Sequence, residues 1–128
     1  GRIEVTPIPG MPHEELVLWL VEELRAYARL RPSVLRRVMA PARVFLPEAD
    51  EVTAPEPDIA CYREYPRGPL DERRWRDASP LIVIEVLSAD TADKDLRRNR
   101  RLYLSVPSIE EYWILDPRES AAAPSLTV

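Results

Sequence analysis

Apolar positions follow a helical rhythm in some stretches and a strand rhythm in others, and one stretch is almost wholly apolar. From Leu81 to Leu87 every residue but Glu85 is apolar, and Ile82, Val83, Ile84 and Val86 are β-branched. A run this short, bounded by Pro80 and by Ser88-Ala89-Asp90, predicts a strand buried on both faces. Side-chain alternation puts Glu85 on the face of Leu81, Val83 and Leu87. A carboxylate there is costly to bury unless a cation, a metal or hydrogen-bond donors meet it. Glu85 therefore either has a structural partner or serves a site.

The rest of the chain is organised around that strand. Residues 2–8 alternate polar and apolar and predict a strand, with Pro7 fitting an edge and Pro9-Gly10 ending it. Leu16, Val17, Leu20, Val21, Leu24, Tyr27 and Ala28 recur at helical spacing. They predict an amphipathic helix over 13–30 with one face on a sheet, Pro12 in its first turn and Pro32 as its stop. Val38, Met39, Val44 and Phe45 around Pro41 predict two short strands, or one strand broken at the proline. Residues 47–56 are acidic and proline-rich, hence a loop. Residues 57–62 predict a short strand with Asp58 at its start. Residues 63–79 carry nine charged residues without a clean period, a long irregular loop of a kind often functional. From 91 the period changes, and 93–104 reads as a helix with Thr91 or Asp90 as N-cap. Residues 111–115 predict a strand closed by Asp116-Pro117, and 125–128 the beginning of another. This order predicts an α/β or α+β architecture, a mixed sheet with helices on its faces.

Composition narrows the setting. A chain of 128 residues, 45% hydrophobic and 31% charged, fits one soluble globular domain spanning 1–128. It opens on Gly1 and closes on a strand-like Ser125-Leu126-Thr127-Val128, so terminal elements are expected to be missing at both ends. No apolar run approaches the ~20 residues of a membrane span. Cys61 is the one cysteine and His13 the one histidine. An intrachain disulfide and a Cys/His zinc cluster are thereby excluded, and a reducing, cytoplasmic compartment is the natural home. A net charge of −4 does not advertise nucleic-acid binding. The charge is uneven, however: residues 94–101 carry five positive charges and one negative, and Lys94 is the only lysine. Whether the chain forms a homo-oligomer stays open.

Two carboxylates stand out. Asp58 begins one strand and Glu85 lies near the end of the next long one. If those strands are antiparallel neighbours, the start of one meets the end of the other. Both acids then converge on one cation, and oxygen ligands suit Mg²⁺ or Mn²⁺. The competing reading is that Asp58 follows Pro57 simply as a turn former.

A wider pattern contains these acids. Pro57-Asp58, Pro80 to Ser88, Thr91-Ala92-Asp93-Lys94-Asp95, Tyr103, and Ile109 to Pro117 together resemble the Uma2 family, also called DUF820, of the restriction-endonuclease-like PD-(D/E)XK nuclease superfamily. The resemblance implies a restriction-endonuclease-like α/β domain, a mixed β-sheet flanked by helices. It also implies a Mg²⁺- or Mn²⁺-dependent endonuclease acting on nucleic acid, DNA first, with Asp58 and Glu85 as metal ligands. His13 matches a histidine common at the start of the family's first long helix. The superfamily's lysine, two residues after the second acid, is replaced here by Leu87. In Uma2-like proteins a lysine stands instead on the following helix, four residues after an aspartate and four before a tyrosine. Counted from Asp95 and Tyr103, that position is Asn99.

Lys94 does not substitute for it. At about 100° per residue, Leu96, Asn99, Arg100 and Tyr103 share one helical face, with Lys94 roughly 160° from Leu96. Arg100 is the nearest basic residue to that face. It can offer charge to a phosphate but cannot transfer a proton, and Asn99 can orient a water. These substitutions predict weak or absent nuclease activity; the alternative is a non-catalytic relative that binds nucleic acid or protein. Arg97, Arg98 and Arg101 are either a phosphate-contacting surface or a solvated helix face. Glu4 is a candidate third acid, and His13 is either a helix-start residue or a ligand. Cys61, Tyr112 and Trp113 read as core. Trp19 and Trp75 have no assignment.

Overall fold

The computed structural model describes residues 10–46, 55–120 and 122–128. The first predicted strand, 2–8, and Glu4 on it lie outside the described residues, as does most of the loop at 47–56. Helix α1 spans Met11–Leu30, β1 Arg37–Met39, β2 Ile59–Tyr62 and β3 Ile82–Val86. Helix α2 spans Asp93–Leu104, β4 Glu111–Asp116 and β5 Ser125–Thr127. The strands form one sheet in the order β1-β2-β3-β4-β5. The β3–β4 pair is parallel, with α2 as its crossover, and the other three pairs are antiparallel.

β3 is central because it alone carries the long β-branched run, and Val83, Ile84, Glu85 and Val86 on it are buried. The period-2 alternation of β2 separates two cores. Ile59 and Cys61 join Val21 and Leu24 of α1. Ala60 and Tyr62 face the opposite side, with Tyr103 of α2 and Tyr112 of β4. Helices α1 and α2 thus cover opposite faces of the sheet. Burial pushes the Cys61 thiol up to about 12, so it acts as a small apolar side chain rather than a nucleophile.

Three local expectations change. Leu81 does not share the face of Glu85 but joins the α1-side core. It precedes β3, where its N–H donates to Cys61 O at 2.8 Å and the alternation has not begun. The N-cap of α2 is Ala92 and makes no side-chain cap bond. Thr91 Oγ1 is used one turn earlier, accepting from Ser88 N–H at 3.1 Å. The strand after Pro41 does not form, yet Ala42 and Val44 N–H donate to Pro57 O and Pro55 O, so that segment runs beside the approach to β2. The long loop at 63–79 holds two single 3₁₀ turns, Leu70–Glu72 and Trp75–Asp77.

Candidate functional site

Extending the β2–β3 register one step past Ile59↔Ile84 sets Asp58 directly opposite Glu85. Directly opposed residues on antiparallel strands have Cβ atoms about 4.5–5.5 Å apart, and like charges there repel. Each acid is held by a different device. Asp58 Oδ2 accepts the N–H of Val86 at 2.8 Å. The carboxylate thus closes β3 where the ladder stops, since the Pro57 carbonyl already accepts from Ala42 N–H. His13, in the first turn of α1, brings Nε2 to 3.4 Å from the same oxygen while Nδ1 lies 3.1 Å from Glu14 Oε1.

Glu85 is only 9% exposed. Its Oε1 accepts from Asn99 Nδ2 at 3.0 Å and from the Tyr103 hydroxyl at 3.0 Å. Its Oε2 accepts from the Tyr112 hydroxyl at 2.7 Å. Glu85 thus meets three neutral donors, the third of the ways in which its burial can be compensated. The two phenol rings pack edge to face, 5.1 Å between centroids, which fixes where both hydroxyls point. Burial, and then the Glu85 carboxylate, push both phenol pKa values well up, so they remain protonated donors. A carboxylate has about four lone-pair positions; donors among the described residues take three, two on Oε1 and one on Oε2.

Both carboxyls sit above their ordinary range. Burial raises Glu85, its bonds from Tyr112, Tyr103 and Asn99 pull it back, and the charge of Asp58 raises it again. Burial raises Asp58, against the Val86 bond and His13. The folded chain therefore keeps protons that the unfolded chain has released. The stability these groups contribute is full below the ordinary carboxylate range and is lost as the pH rises through the raised folded values. In Asp58→Asn that fall is expected to be shallower. Thermal unfolding of both proteins between about pH 4 and about pH 8 checks it; parallel curves would refute the raised values.

An open cleft of about 370 Å³ exposes His13, Asp58, Glu85, Asp95, Arg98 and Asn99 together. Asn99 faces Glu85, and Lys94 is exposed on the other side of α2. Arg100 requires a correction: it is exposed and does not line the cleft, whereas Arg98 does. Asp95 marks the cleft side of α2, and on a helical wheel Arg98 lies about 60° from it but Arg100 about 140°. Arg98 Nε donates to Asn99 Oδ1 at 3.4 Å, and its Nη1 lies 3.7 Å from Asp95.

Among the described residues no three His, Cys, Asp or Glu side chains are arranged to hold an ion. A structural zinc site needs about four protein ligands. Mg²⁺ keeps several waters and takes only one or two carboxylates. The donor set of this cleft fits the second kind of ion.

The family model described as "Uma2: Putative restriction endonuclease" matches residues 1–123. The chain belongs to the Uma2 family. The fold of this Uma2 chain is similar to that of a crystal structure of "a putative nuclease belonging to DUF820" from Anabaena variabilis ATCC 29413. The TM-score is 0.64 at 20% identity, over 93% of this chain. The Uma2 chain spans 64% of that protein's length. No curated protein matches it. Among the described residues of this Uma2 chain no helix is long and apolar enough to cross a membrane.

Sequence reasoning missed the two phenols and did not place His13. A signal for Tyr103 was present: it stands four residues after Asn99, on the same helical face, and a buried phenol needs an acceptor. Tyr112 alternates like any core residue and gave no signal of its own.

Proposed function

We propose that this Uma2 chain is a Mg²⁺-dependent endonuclease that hydrolyses nucleic-acid phosphodiester bonds, DNA first. The observation that carries this reading is the opposition of Asp58 and Glu85 across β2 and β3, both opening on one cleft. Asp58 and Glu85 would hold the ion. A bound Mg²⁺ supplies a polarised water and charge stabilisation at the phosphate. The chain does the remaining work. Tyr103 and Tyr112 fix Glu85, Val86 N–H fixes Asp58, and the Arg98 guanidinium at the cleft offers charge to a phosphate. Asn99 is a neutral hydrogen-bonding group where the family pattern has a lysine, so the intrinsic rate is low.

The test is supercoiled-plasmid nicking in Mg²⁺ or Mn²⁺ with the unaltered chain and with Asp58→Ala. Slow nicking by the first and none by the second is expected. Thermal unfolding gives a second readout: saturating Mg²⁺ raises Tm, with about 2.7 kcal/mol of added stability at a hundredfold excess over Kd, and Asp58→Ala loses the shift. Equal Tm values with and without Mg²⁺ would remove the metal from the reading.

One observation favours a second reading, a relative that binds nucleic acid or protein without cutting. Glu85 already has three of its four lone-pair positions filled by Asn99, Tyr103 and Tyr112, so its environment is satisfied without an ion.

A further inference from the structure

A larger cavity, of about 550 Å³, opens beside the acidic cleft. Among the described residues its wall carries Arg43, Arg73, Arg74 and Arg76 and no acid. Between them stand Phe45, Tyr65 and Trp75. The aromatics are braced. Trp75 and Tyr65 pack against the α2-side core, the Tyr65 ring lies edge-on to Tyr62 at 5.1 Å, and the Arg76 guanidinium sits 5.1 Å over Phe45. Arg43 and Arg74 have acidic partners outside the cavity, Glu56 at 2.7 Å and Asp77 at 3.2 Å. Both pairs are about half exposed or more, and exposed pairs of this kind are weak enough to be exchanged for a phosphate.

Among the described residues, the Arg43–Glu56 ion pair links the two cavities. Glu56 lines the acidic cleft and Arg43 lines the basic cavity. The backbone bonds from Ala42 and Val44 to Pro57 and Pro55 lock their segments side by side. The Arg43–Glu56 pair thus borders both cavities.

We infer that this cavity is the seat for an unpaired nucleotide of a single-stranded nucleic acid, its base stacked on Trp75 or Tyr65 and its phosphates met by Arg73 and Arg74. The inference deepens the nuclease reading by naming single-stranded or flap-bearing nucleic acid as its substrate class. Cations alone would suit any polyanion. Aromatic faces inside the same concavity suit an exposed base, which a duplex keeps stacked.

The test is fluorescence anisotropy with labelled single-stranded DNA, its RNA counterpart and the matching duplex, in EDTA and across a salt series. A single strand is expected to bind at least about tenfold more tightly than the duplex, and Trp75→Leu to weaken it roughly tenfold. Trp75 is partly buried, so the exposed Arg74 supplies a second variant. Arg74→Ala should flatten the log-affinity against log-salt slope by about 0.7. Preference for DNA or for RNA names the strand the cavity takes. Equal binding of duplex and single strand, or binding unmoved by both variants, overturns the inference and leaves the two-acid cleft untouched. Binding through the cavity with no cleavage in Mg²⁺ upholds the inference while removing the nuclease reading.

Discussion

Asn99→Lys is expected to nick supercoiled plasmid on the order of 10²–10³ times faster than the unaltered chain in Mg²⁺. Asn99 already donates to Glu85 Oε1 at 3.0 Å, so a lysine there starts on the correct face of α2. Its longer stem has the open cleft to extend into. A charge-assisted bond is about twice as strong as a neutral one. The ammonium would draw the Glu85 carboxyl back down and keep it ionised for a metal. It would also stabilise charge building on a phosphate, the larger effect on rate. Initial nicking rates of the two proteins, at one metal concentration, make the comparison. If the unaltered chain is inactive and the lysine creates no cleavage, the missing ammonium is not what limits this site.

Glu85→Ala is expected to lose about 3–5 kcal/mol of folding stability, whereas Glu85→Gln loses about 1 kcal/mol or less. Alanine leaves the Tyr103 and Tyr112 hydroxyls buried without an acceptor and opens a void between two rings. Glutamine keeps an oxygen for Asn99 and Tyr103, and the Tyr112 hydroxyl can turn to accept from the new amide. Both replacements remove the carboxylate proposed to hold the ion, so on that reading both should abolish nicking. Urea unfolding followed by circular dichroism separates the structural loss from the chemical one. If the two variants unfold at the same midpoint, the phenol–carboxylate network does not support the core.

The fold was legible where pattern and burial agree. The apolar run at 82–86, interrupted only by Glu85, the helical spacing on α1 and α2, and the apolar stretch at 112–115 each mark their element locally. The opposition of Asp58 and Glu85 was legible too, because it needs only the antiparallel pairing of two neighbouring strands. Other features depend on contacts that no local pattern encodes. Tyr112 counts as apolar in any periodicity, and its hydroxyl gains meaning only once β4 lies parallel to β3. His13 is forty-five positions from Asp58, and only the folding of α1 against the sheet brings it there. Arg100 was preferred over Arg98 because the wheel was centred on Leu96 and Tyr103. The cleft opens on the Asp95 side instead. The arginines of the 63–79 loop had no period to announce them.

The bond from Val86 N–H to Asp58 bears on how such a protein could change over time. The same side chain that could hold an ion also closes the β2–β3 ladder, and Glu85 likewise anchors two tyrosines. A lineage that stopped cutting would still be penalised for discarding either residue, because loss would loosen the scaffold before it touched any chemistry. Two intact acids in a descendant would therefore testify to architecture, and only the occupant of position 99 would speak to turnover.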